Sequence, residues 1–496
     1  MKSIKSPLKI FIFNICIFSF MLTHFGCTPK PIIIKKELGY LNTPGAKEYP
    51  NAGAIMLLDS ASDIIYENGE IISKIHQIIK ILNDRGKDFG EISVAYNSSF
   101  QNAAFSFART ITSDGTIVLP SKEAFNEITP YAGYNLYSDI KQKVVSMPAV
   151  EPGSIIEYEA VIKSKPLLLS NGYSVDWFFQ FSEPIMLSKY SITLPKKLPF
   201  KTTYYNFEQI PDVSEYKEYT TYTWEKLNIN EIVTEPVMPS MYKIAPWMRI
   251  TTAKSWDDMA PEFIKLIKES IAPDPLIKSK VKELIKNKTN SEEKIKALFY
   301  FIEKNIRYVG LEWGISSIKP HTASEIFKNA YGDCKDQSTL LITMLREAEI
   351  KAYPALLFSD NNDEIDLNTP TLSQFNHMIV YAETQEKTYW LDPTVEVGNI
   401  NEFPGSNQNH TAWIIRDTDN KAEFKSTTLK SSIDYNRSRT IKAVISPDGS
   451  IKCDAKTYYT GDDAMQMRAS LKYTEPEKYL QLFENLVNKT HGVHLL

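Results

Sequence analysis

Residues 55–227 alternate between apolar and polar positions with a period of two, the pattern of β-strands that bury one face. The runs are separated by turns rich in Asn, Asp, Gly and Pro, such as Asn83-Asp84-Arg85-Gly86. Ser113-Asp114-Gly115 lies between two β-rich runs and predicts a hairpin. Many short strands joined by tight turns predict an antiparallel, sandwich-like β domain over residues 51–235.

The apolar period changes to that of helices after prolines at positions 236, 239 and 246. Three helices are expected, with apolar stripes within residues 263–267, 277–285 and 295–302, and the third is capped by Asn290 with Glu293 three residues on. A further helix begins near Cys334. The strands expected after it cover residues 351–358, 376–382 and 388–391. This mixture predicts an α+β domain over residues 250–420.

Residues 425–496 predict a short C-terminal β segment. Two strands, 439–445 and 450–457, are joined through Pro447-Asp448-Gly449 and followed by a helix near 476–487. One hairpin and one helix bury too little surface to form a stable independent domain. The segment therefore either packs on its neighbour or belongs to an incomplete domain. Cys453 alternates with Ile451 and Ala455 on one strand face, which predicts a buried, inert thiol.

The amino-acid composition excludes some classes of protein but does not identify the function. The 496 residues suit about three domains, and 43% apolar with 23% charged residues is ordinary for globular proteins. The chain has 56 Lys and Arg and 60 Asp and Glu, so its net charge is −4. It therefore lacks the overall positive charge that would attract nucleic-acid phosphates, and nucleic-acid binding is not expected. Four cysteines, Cys16, Cys27, Cys334 and Cys453, are too few for a disulfide framework.

The first 26 residues have the pattern of a signal peptide. Three lysines precede an apolar run over residues 10–22, and thirteen helical residues span about 20 Å, short of the roughly 30 Å of a membrane core. Gly26-Cys27 followed by Thr28-Pro29-Lys30-Pro31 resembles a bacterial lipoprotein processing site. Lipidation of Cys27, with residues 27–50 as a spacer, and cleavage without lipid both remain open. Either way the mature chain would have a net charge of −7 and lie in the cell envelope, on the periplasmic or outer side.

Three residues have the types and settings of a nucleophilic site. Cys334 falls on the first turn of a predicted helix, where unpaired N–H groups and the helix dipole favour the thiolate and can hold an oxyanion. His377 begins one strand of a predicted hairpin and Asp392 ends the other. A hairpin turning between Gln385 and Glu386 places both side chains on one face as diagonal neighbours, within reach of each other. Asp392 would then orient the imidazole of His377, which would take the thiol proton of Cys334.

Several motifs together resemble the core of the transglutaminase-like superfamily. They are Asn305-Ile306-Arg307-Tyr308, Gly310-Leu311-Glu312, Pro320-His321, Gly332-Asp333-Cys334-Lys335-Asp336, Tyr353-Pro354-Ala355, Phe375-Asn376-His377 and Trp390-Leu391-Asp392-Pro393-Thr394. The preceding β domain is similar to an uncharacterised domain that accompanies this core in bacterial envelope proteins.

The resemblance implies a papain-like arrangement in which Cys334 is the nucleophile, His377 the base and Asp392 the orienting carboxylate. No metal or cofactor is implied. Trp313 is a possible second oxyanion donor that the motifs do not assign. The expected substrates are proteins or peptides, and the expected membrane contact is through the N-terminal lipid.

Two functions follow as alternatives. The first is a cysteine acyl-transfer enzyme acting on peptide or carboxamide bonds, either as a protease or amidase or as a transglutaminase. The second is an envelope-anchored protein that binds peptide or glycan and keeps the fold without catalysis. The sequence leaves the substrate and the oligomeric state open.

Overall fold

A computed structural model describes residues 32–36, 43–130, 136–169, 172–312, 318–359, 365–431 and 436–491 of the chain. The predicted signal peptide at residues 1–26, the predicted lipidation site Cys27 and the possible oxyanion donor Trp313 lie outside the described residues. In the part of the chain that is described, no helix combines the length and apolar character needed to cross a bilayer.

The first half of the described chain is almost entirely β structure. Its strands are β1 (Ile32–Lys36), β2 (Ala54–Ile65), β3 (Ile71–Ile81), β4 (Glu91–Asn97), β5 (Gln101–Ile111), β6 (Thr116–Leu119), β7 (Phe125–Ile128), β8 (Leu136–Ser138), β9 (Ile140–Ser146), β10 (Ile155–Ser164), β11 (Ser174–Phe178), β12 (Ile185–Pro195), β13 (Lys201–Tyr205), β14 (Asp212–Tyr216) and β15 (Tyr219–Ile229).

Helices and strands are mixed from residue 241 onward. In chain order they are α1 (Met241–Ile244), β16 (Trp247–Thr251), α2 (Trp256–Ile267), α3 (Pro275–Ile285), α4 (Ser291–Asn305), β17 (Arg307–Tyr308), β18 (Gly310–Glu312), α5 (Ala323–Asn329), β19 (Tyr331–Gly332), α6 (Cys334–Glu347), β20 (Lys351–Leu357), β21 (His377–Glu383), β22 (Thr388–Leu391), β23 (Thr411–Arg416), β24 (Lys421–Ser426), β25 (Arg437–Ile445), β26 (Ile451–Tyr459), α7 (Gly461–Tyr473) and α8 (Tyr479–His491).

The chain divides into two compact units. The first contains residues 1–262 together with 311–318 and 366–373, and the second contains residues 263–310, 319–365 and 374–496. The domain limits expected from the sequence were drawn as continuous stretches and stay predictions.

The first unit is built on a nine-stranded sheet in the order β1-β6-β5-β10-β3-β2-β12-β15-β14. All neighbours are antiparallel except β2 and β12, which run parallel. The expected N-terminal antiparallel β domain is therefore confirmed, with this one exception. Trp224, Tyr190 and Phe179 are fully buried in its core, as inward-facing aromatic residues of alternating strands should be. The predicted hairpin at Ser113-Asp114-Gly115 joins β5 and β6, and Gly115 has the positive φ of 84° that favours glycine.

A smaller sheet of the same unit, in the order β11-β16-β13, holds a distant segment of the chain. Hydroxyl pairs join Ser174 to Thr371 and Thr203 to Thr369, each at 2.6 Å. Thr251 Oγ1 also donates to the carbonyl of Pro370 at 2.8 Å. These contacts explain why residues 366–373 fold with the N-terminal unit although they lie about a hundred residues beyond it.

The second unit surrounds helix α6. Residues 335–345 of this helix are all buried, and it packs on α3, α4, α5, β20 and β21. The accompanying sheet has the order β22-β21-β20-β23-β24. The expected Asn290 cap is confirmed, since its side chain accepts from Glu293 N at 2.9 Å. A helix surrounded by other elements is rigidly held, which matters because Cys334 is its first residue.

The C-terminal segment differs from its prediction in two respects. The expected hairpin forms as β25 and β26, but α7 between it and the final helix was not foreseen. The prediction that Cys453 is buried is wrong, because its thiol is exposed. In the described part of the chain β25 and β26 pair only with each other, and all their residues are exposed or partly exposed. Apolar alternation on a two-stranded hairpin therefore does not produce burial here.

Candidate active site

The first turn of α6 is fixed by a reciprocal cap. Asp333 precedes the helix, and its Oδ1 accepts from the N–H of Asp336 at 3.2 Å. The Asp336 carboxylate in turn accepts from the N–H of Asp333 at 3.4 Å. Such a capping box defines where a helix starts. It makes Cys334 the first helical residue, which agrees with the prediction that this cysteine falls on the first turn.

Gly332 brings the chain close to that cap. A Cβ atom at this position would lie 2.5 Å from Cβ of Asp336, well inside van der Waals contact. The carbonyl of Gly332 also accepts from Val309 N at 3.0 Å. The glycine therefore lets β19 pass directly against the start of α6 and sets the direction from which the chain enters the helix.

His377 is brought to Cys334 by the packing of strand β21 on helix α6. Ser338, one turn beyond the cysteine, donates from its hydroxyl to the carbonyl of Met378 at 2.8 Å. This bond ties the helix to the residue that follows the histidine. The imidazole of His377 interacts with the side chain of Cys334, which stays partly accessible to solvent.

The predicted hairpin register is confirmed. Strands β21 and β22 pair Val380 with Leu391 and Tyr381 with Trp390, the alignment expected for a turn between Gln385 and Glu386. As predicted, His377 and Asp392 are in contact, and Nε2 of the histidine donates to Oδ2 of the aspartate at 2.9 Å. The ring nitrogen left for Cys334 is Nδ1.

The Asp392 carboxylate accepts from three further donors. Asn407 Nδ2 reaches Oδ2 at 2.8 Å. The backbone N–H and the hydroxyl of Thr394 both reach Oδ1, at 3.0 and 2.6 Å. Because hydrogen bonds to the charged form favour it, this set of donors keeps a buried carboxylate ionised.

The ionisation of the His377 and Asp392 side chains is tightly linked. Burial by itself lowers the pKa of His377, but the charge of Asp392, its hydrogen bond and the interaction with Cys334 outweigh burial and hold that pKa well above its ordinary value. Burial raises the pKa of Asp392, but the positive charge of His377, its hydrogen bond and those of Thr394 bring it below its ordinary value. The pair is therefore poised as imidazolium and carboxylate.

This ion pair should make stability depend on pH. The lowered pKa of Asp392 contributes stability above about pH 4, its unfolded value, which is lost as pH falls through the folded value. The raised pKa of His377 contributes stability below about pH 6.5, which is lost as pH rises through the folded value. The difference in Tm between the native protein and Asp392→Asn should therefore be largest between about pH 4 and 6.5. A difference that is constant from about pH 3 to 9 would contradict the assignment.

Charged residues flank Cys334 on helix α6. Lys335 forms a buried ion pair with Asp333. Burial lowers the pKa of Lys335, but the charges of Asp333, Cys334 and Asp336 together raise it above its ordinary value. Burial, countered by Lys335, raises the pKa of Asp333 to about 6. Cys334 thus interacts electrostatically with the ammonium group of Lys335 as well as with the imidazole of His377.

His321 lies on the other side of the cap. Its ring Nδ1 lies 3.1 Å from Oδ2 of Asp336, and its backbone N–H donates to Oδ1 at 2.8 Å. The hydrogen bond and charge of Asp336 raise the pKa of His321 against the effect of burial. Its contact with Asp336 makes His321 part of the structure that holds the first turn of α6.

The structure brings together Cys334, His377 and Asp392, and their catalytic roles stay a prediction. It also contains contacts that the sequence did not suggest, above all Asn407 on Asp392 and Ser338 on β21. The local sequence does not identify Asn407 as a residue of the site, because asparagine is common in any turn rich in Gly, Asn and Pro. In the described residues, no group of three or more His, Cys, Asp or Glu side chains is arranged to hold a metal ion.

Family models match both halves of the chain. Residues 67–232 match a domain of unknown function, DUF3857, and residues 278–394 match the transglutaminase-like superfamily. The second match contains Cys334, His377 and Asp392, whereas Asn407 lies beyond its end. The resemblance stated from the motifs is thereby confirmed. A search of curated proteins finds no significant match.

Among solved structures, a candidate protease from Parabacteroides distasonis is similar over 80% of this chain and 78% of its own, with 18% sequence identity and a TM-score of 0.64. At this identity the similarity shows a shared fold. A candidate cysteine protease from Cytophaga hutchinsonii aligns over 79% of this chain and 90% of its own, at 11% identity and a TM-score of 0.21. An M1 zinc metallopeptidase from Deinococcus radiodurans aligns over 40% and 42%, at 10% identity and a TM-score of 0.22. Scores this low do not establish a shared fold.

Proposed function

Because residues 278–394 belong to the transglutaminase-like superfamily, we propose that this protein is a cysteine acyl-transfer enzyme that acts on peptide or carboxamide bonds. One observation carries the proposal: the partly exposed Cys334, His377 and the buried Asp392 form one array, in which Asp392 hydrogen bonds with His377 and the side chain of Cys334 interacts with the imidazole. Nucleophile, base and orienting group in that order are the requirements of covalent acyl transfer.

In the first step, the sulfur of Cys334 attacks the carbonyl carbon while its proton resides on His377 Nδ1. A C–S bond forms, and negative charge develops on the carbonyl oxygen. N–H groups of the first turn of α6 are suited to stabilise this charge, since the first four amides of a helix have no partner within it. The C–N bond then breaks, His377 gives its proton to the leaving amine, and a thioester remains.

Asp392 keeps the imidazole in the productive tautomer throughout. Its contact with Nε2 requires that nitrogen to carry a proton, so Nδ1 is the one that exchanges a proton with sulfur. The carboxylate also stabilises the imidazolium that forms while the sulfur is charged.

The group that attacks the thioester in the second step determines which reaction the enzyme catalyses. Attack on the thioester by water releases an acid and makes the enzyme a protease or amidase, whereas attack by a primary amine makes it a transglutaminase. We favour hydrolysis, because water is the abundant acceptor in a cell envelope. The name of the Parabacteroides protein, a candidate protease, agrees with hydrolysis.

A peptide library incubated with and without a primary amine tests both the activity and its type. We expect cleaved peptides or hydrolysed side-chain amides in both incubations, detected as mass changes that are missing with Cys334→Ala. Products that appear only with the amine and contain it would indicate transglutamination. If neither incubation gives products that depend on Cys334, the alternative of a peptide- or glycan-binding protein takes precedence.

We also propose that the enzyme works in a bacterial cell envelope, held through lipid on Cys27 after removal of residues 1–26. The charged start, short apolar run and Gly26-Cys27 pair support this location. Detergent-phase partitioning that is lost with Cys27→Ser would support the anchor, and equal partitioning of both forms would contradict it.

A further inference from the structure

Asn407 contacts Asp392 from a turn that several hydrogen bonds hold in place. It ends a 3₁₀ turn, Gly405–Asn407, and its N–H donates to the carbonyl of Pro404 at 2.9 Å. Its own carbonyl accepts from the hydroxyl of Thr427 at 2.6 Å. At the start of the turn, the N–H of Gly405 donates to the carboxylate of Asp462 on α7 at 3.1 Å. Three anchors on one short turn leave the side chain little freedom.

The side-chain amide is fully buried, at 1% exposure, and directed at the catalytic carboxylate. Nδ2 donates to Asp392 Oδ2 at 2.8 Å, the same oxygen that receives His377 Nε2. The reverse amide orientation would place two acceptors against each other, so the chemistry of the pair requires the nitrogen on this side.

The oxygen of the Asn407 amide indicates which atom of this side chain the site requires. Oδ1 of Asn407 is buried and has no hydrogen-bond partner among the described residues. An unpaired buried acceptor destabilises a protein, and an aliphatic residue of similar size would avoid it. The donor Nδ2 is therefore the part of the side chain that the site requires.

We infer that Asn407 is a positioning residue that holds Asp392 in the orientation and charge state needed to keep His377 productive. The inference rests on the proposed function, since it concerns the same array. Two donors on Oδ2 keep that oxygen from rotating away from His377. They also make the carboxylate less basic, so the proton between the two residues stays on the imidazole.

Other ionisable groups near the array have to be considered in any test that varies pH. Those that face it from the surrounding elements are Cys334, Lys335, Asp333 and Asp336 at the start of α6, His377 on β21, His321 against Asp336, and Asp462 at the base of the turn. All of them are present in both the native protein and the Asn407 variants, so their titration cancels in a ratio of rates.

The test is the rate at which iodoacetamide alkylates Cys334 in the full-length protein, measured on the Cys334 peptide by mass spectrometry at several pH values. Asn407→Ala should lower this rate at neutral pH about tenfold or more, the scale expected for the loss of one hydrogen bond to a charged group. Asn401→Ala, which changes an exposed asparagine of the same loop, should react as the native protein does.

Asn407→Asp separates positioning from a purely structural role. The introduced carboxyl is similar in size but cannot donate while ionised, so the rate at about pH 8 should be low. As pH falls towards about 5 it takes up a proton and can donate again, so the ratio of the variant's rate to the native rate should rise. A structural role predicts a ratio that does not change with pH.

The possible results distinguish a failure of the proposed function from a failure of the positioning role of Asn407. If His377→Ala alkylates as fast as the native protein, the proposed function fails. If His377→Ala is slow but both Asn407 variants match the native rate, only the positioning role of Asn407 is overturned. Unfolding of both Asn407 variants, judged by circular dichroism, while Asp392→Asn stays folded would also overturn it, because Asn407 would then support the fold alone.

Discussion

Cys334→Ala is expected to abolish acyl transfer and to remove all fast labelling by iodoacetamide near neutral pH. The sulfur is the atom that forms the thioester, so no other group can replace it, and the loss should reach the background rate. Labelling should be measured peptide by peptide, together with the mass products of the peptide library. The fold should be unaffected, because the side chain is small and only partly buried.

The chain offers a matched control for this substitution. Cys453 is a free thiol that is exposed on β26, whereas the side chain of Cys334 interacts with the imidazole of His377. Cys453→Ala should leave activity unchanged, and Cys453 itself should react at the rate of an ordinary exposed thiol. Equal labelling of Cys334 and Cys453 across neutral pH would contradict activation of Cys334 by its neighbours.

Asp392→Asn should give the second largest loss, about 10⁴-fold in kcat, as in other enzymes whose orienting aspartate is replaced. An amide can offer its oxygen or its nitrogen to His377, and it carries no charge to stabilise the imidazolium. Burial would then lower the pKa of His377 without opposition from a carboxylate. The measurement is kcat on the best library peptide, with circular dichroism to show that the variant is folded.

Asp419→Asn is a suitable comparison, because Asp419 is an exposed aspartate in the turn between β23 and β24. It should change kcat little. If Asp392→Asn retains most of the native kcat, Asp392 is not the orienting carboxylate, and the array of Cys334, His377 and Asp392 is structural.

Much of the site could be predicted because its parts are local. Asp333 and Asp336 mark the start of α6 through a capping pattern only four residues long. The register of β21 and β22 follows from the position of one tight turn, which determines which residues share a face. The contact between His377 and Asp392 is a consequence of that register, so a short stretch of sequence was enough to predict it.

Other features could not be predicted, since residues far apart in the chain create them. Asn407 meets Asp392 only because the loop before β23 brings the two residues together, and no periodicity in the sequence predicts that contact. Cys453 has the alternating apolar neighbours of a buried strand, but in the described chain its hairpin pairs with no other strand and its thiol is exposed. Burial depends on what packs against an element, and a local pattern describes only the element itself.

The sequence by itself determined the N-terminal β domain, the helix that begins at Cys334, the hairpin that aligns His377 with Asp392 and the family to which the motifs belong. These follow from short-range rules of periodicity, capping and turn geometry. Only the tertiary structure decided which donors surround Asp392, which thiol is exposed and that residues 366–373 pack on the sheet of the first unit. Those outcomes depend on packing between distant segments, where many arrangements satisfy the same local pattern and long-range contacts select one.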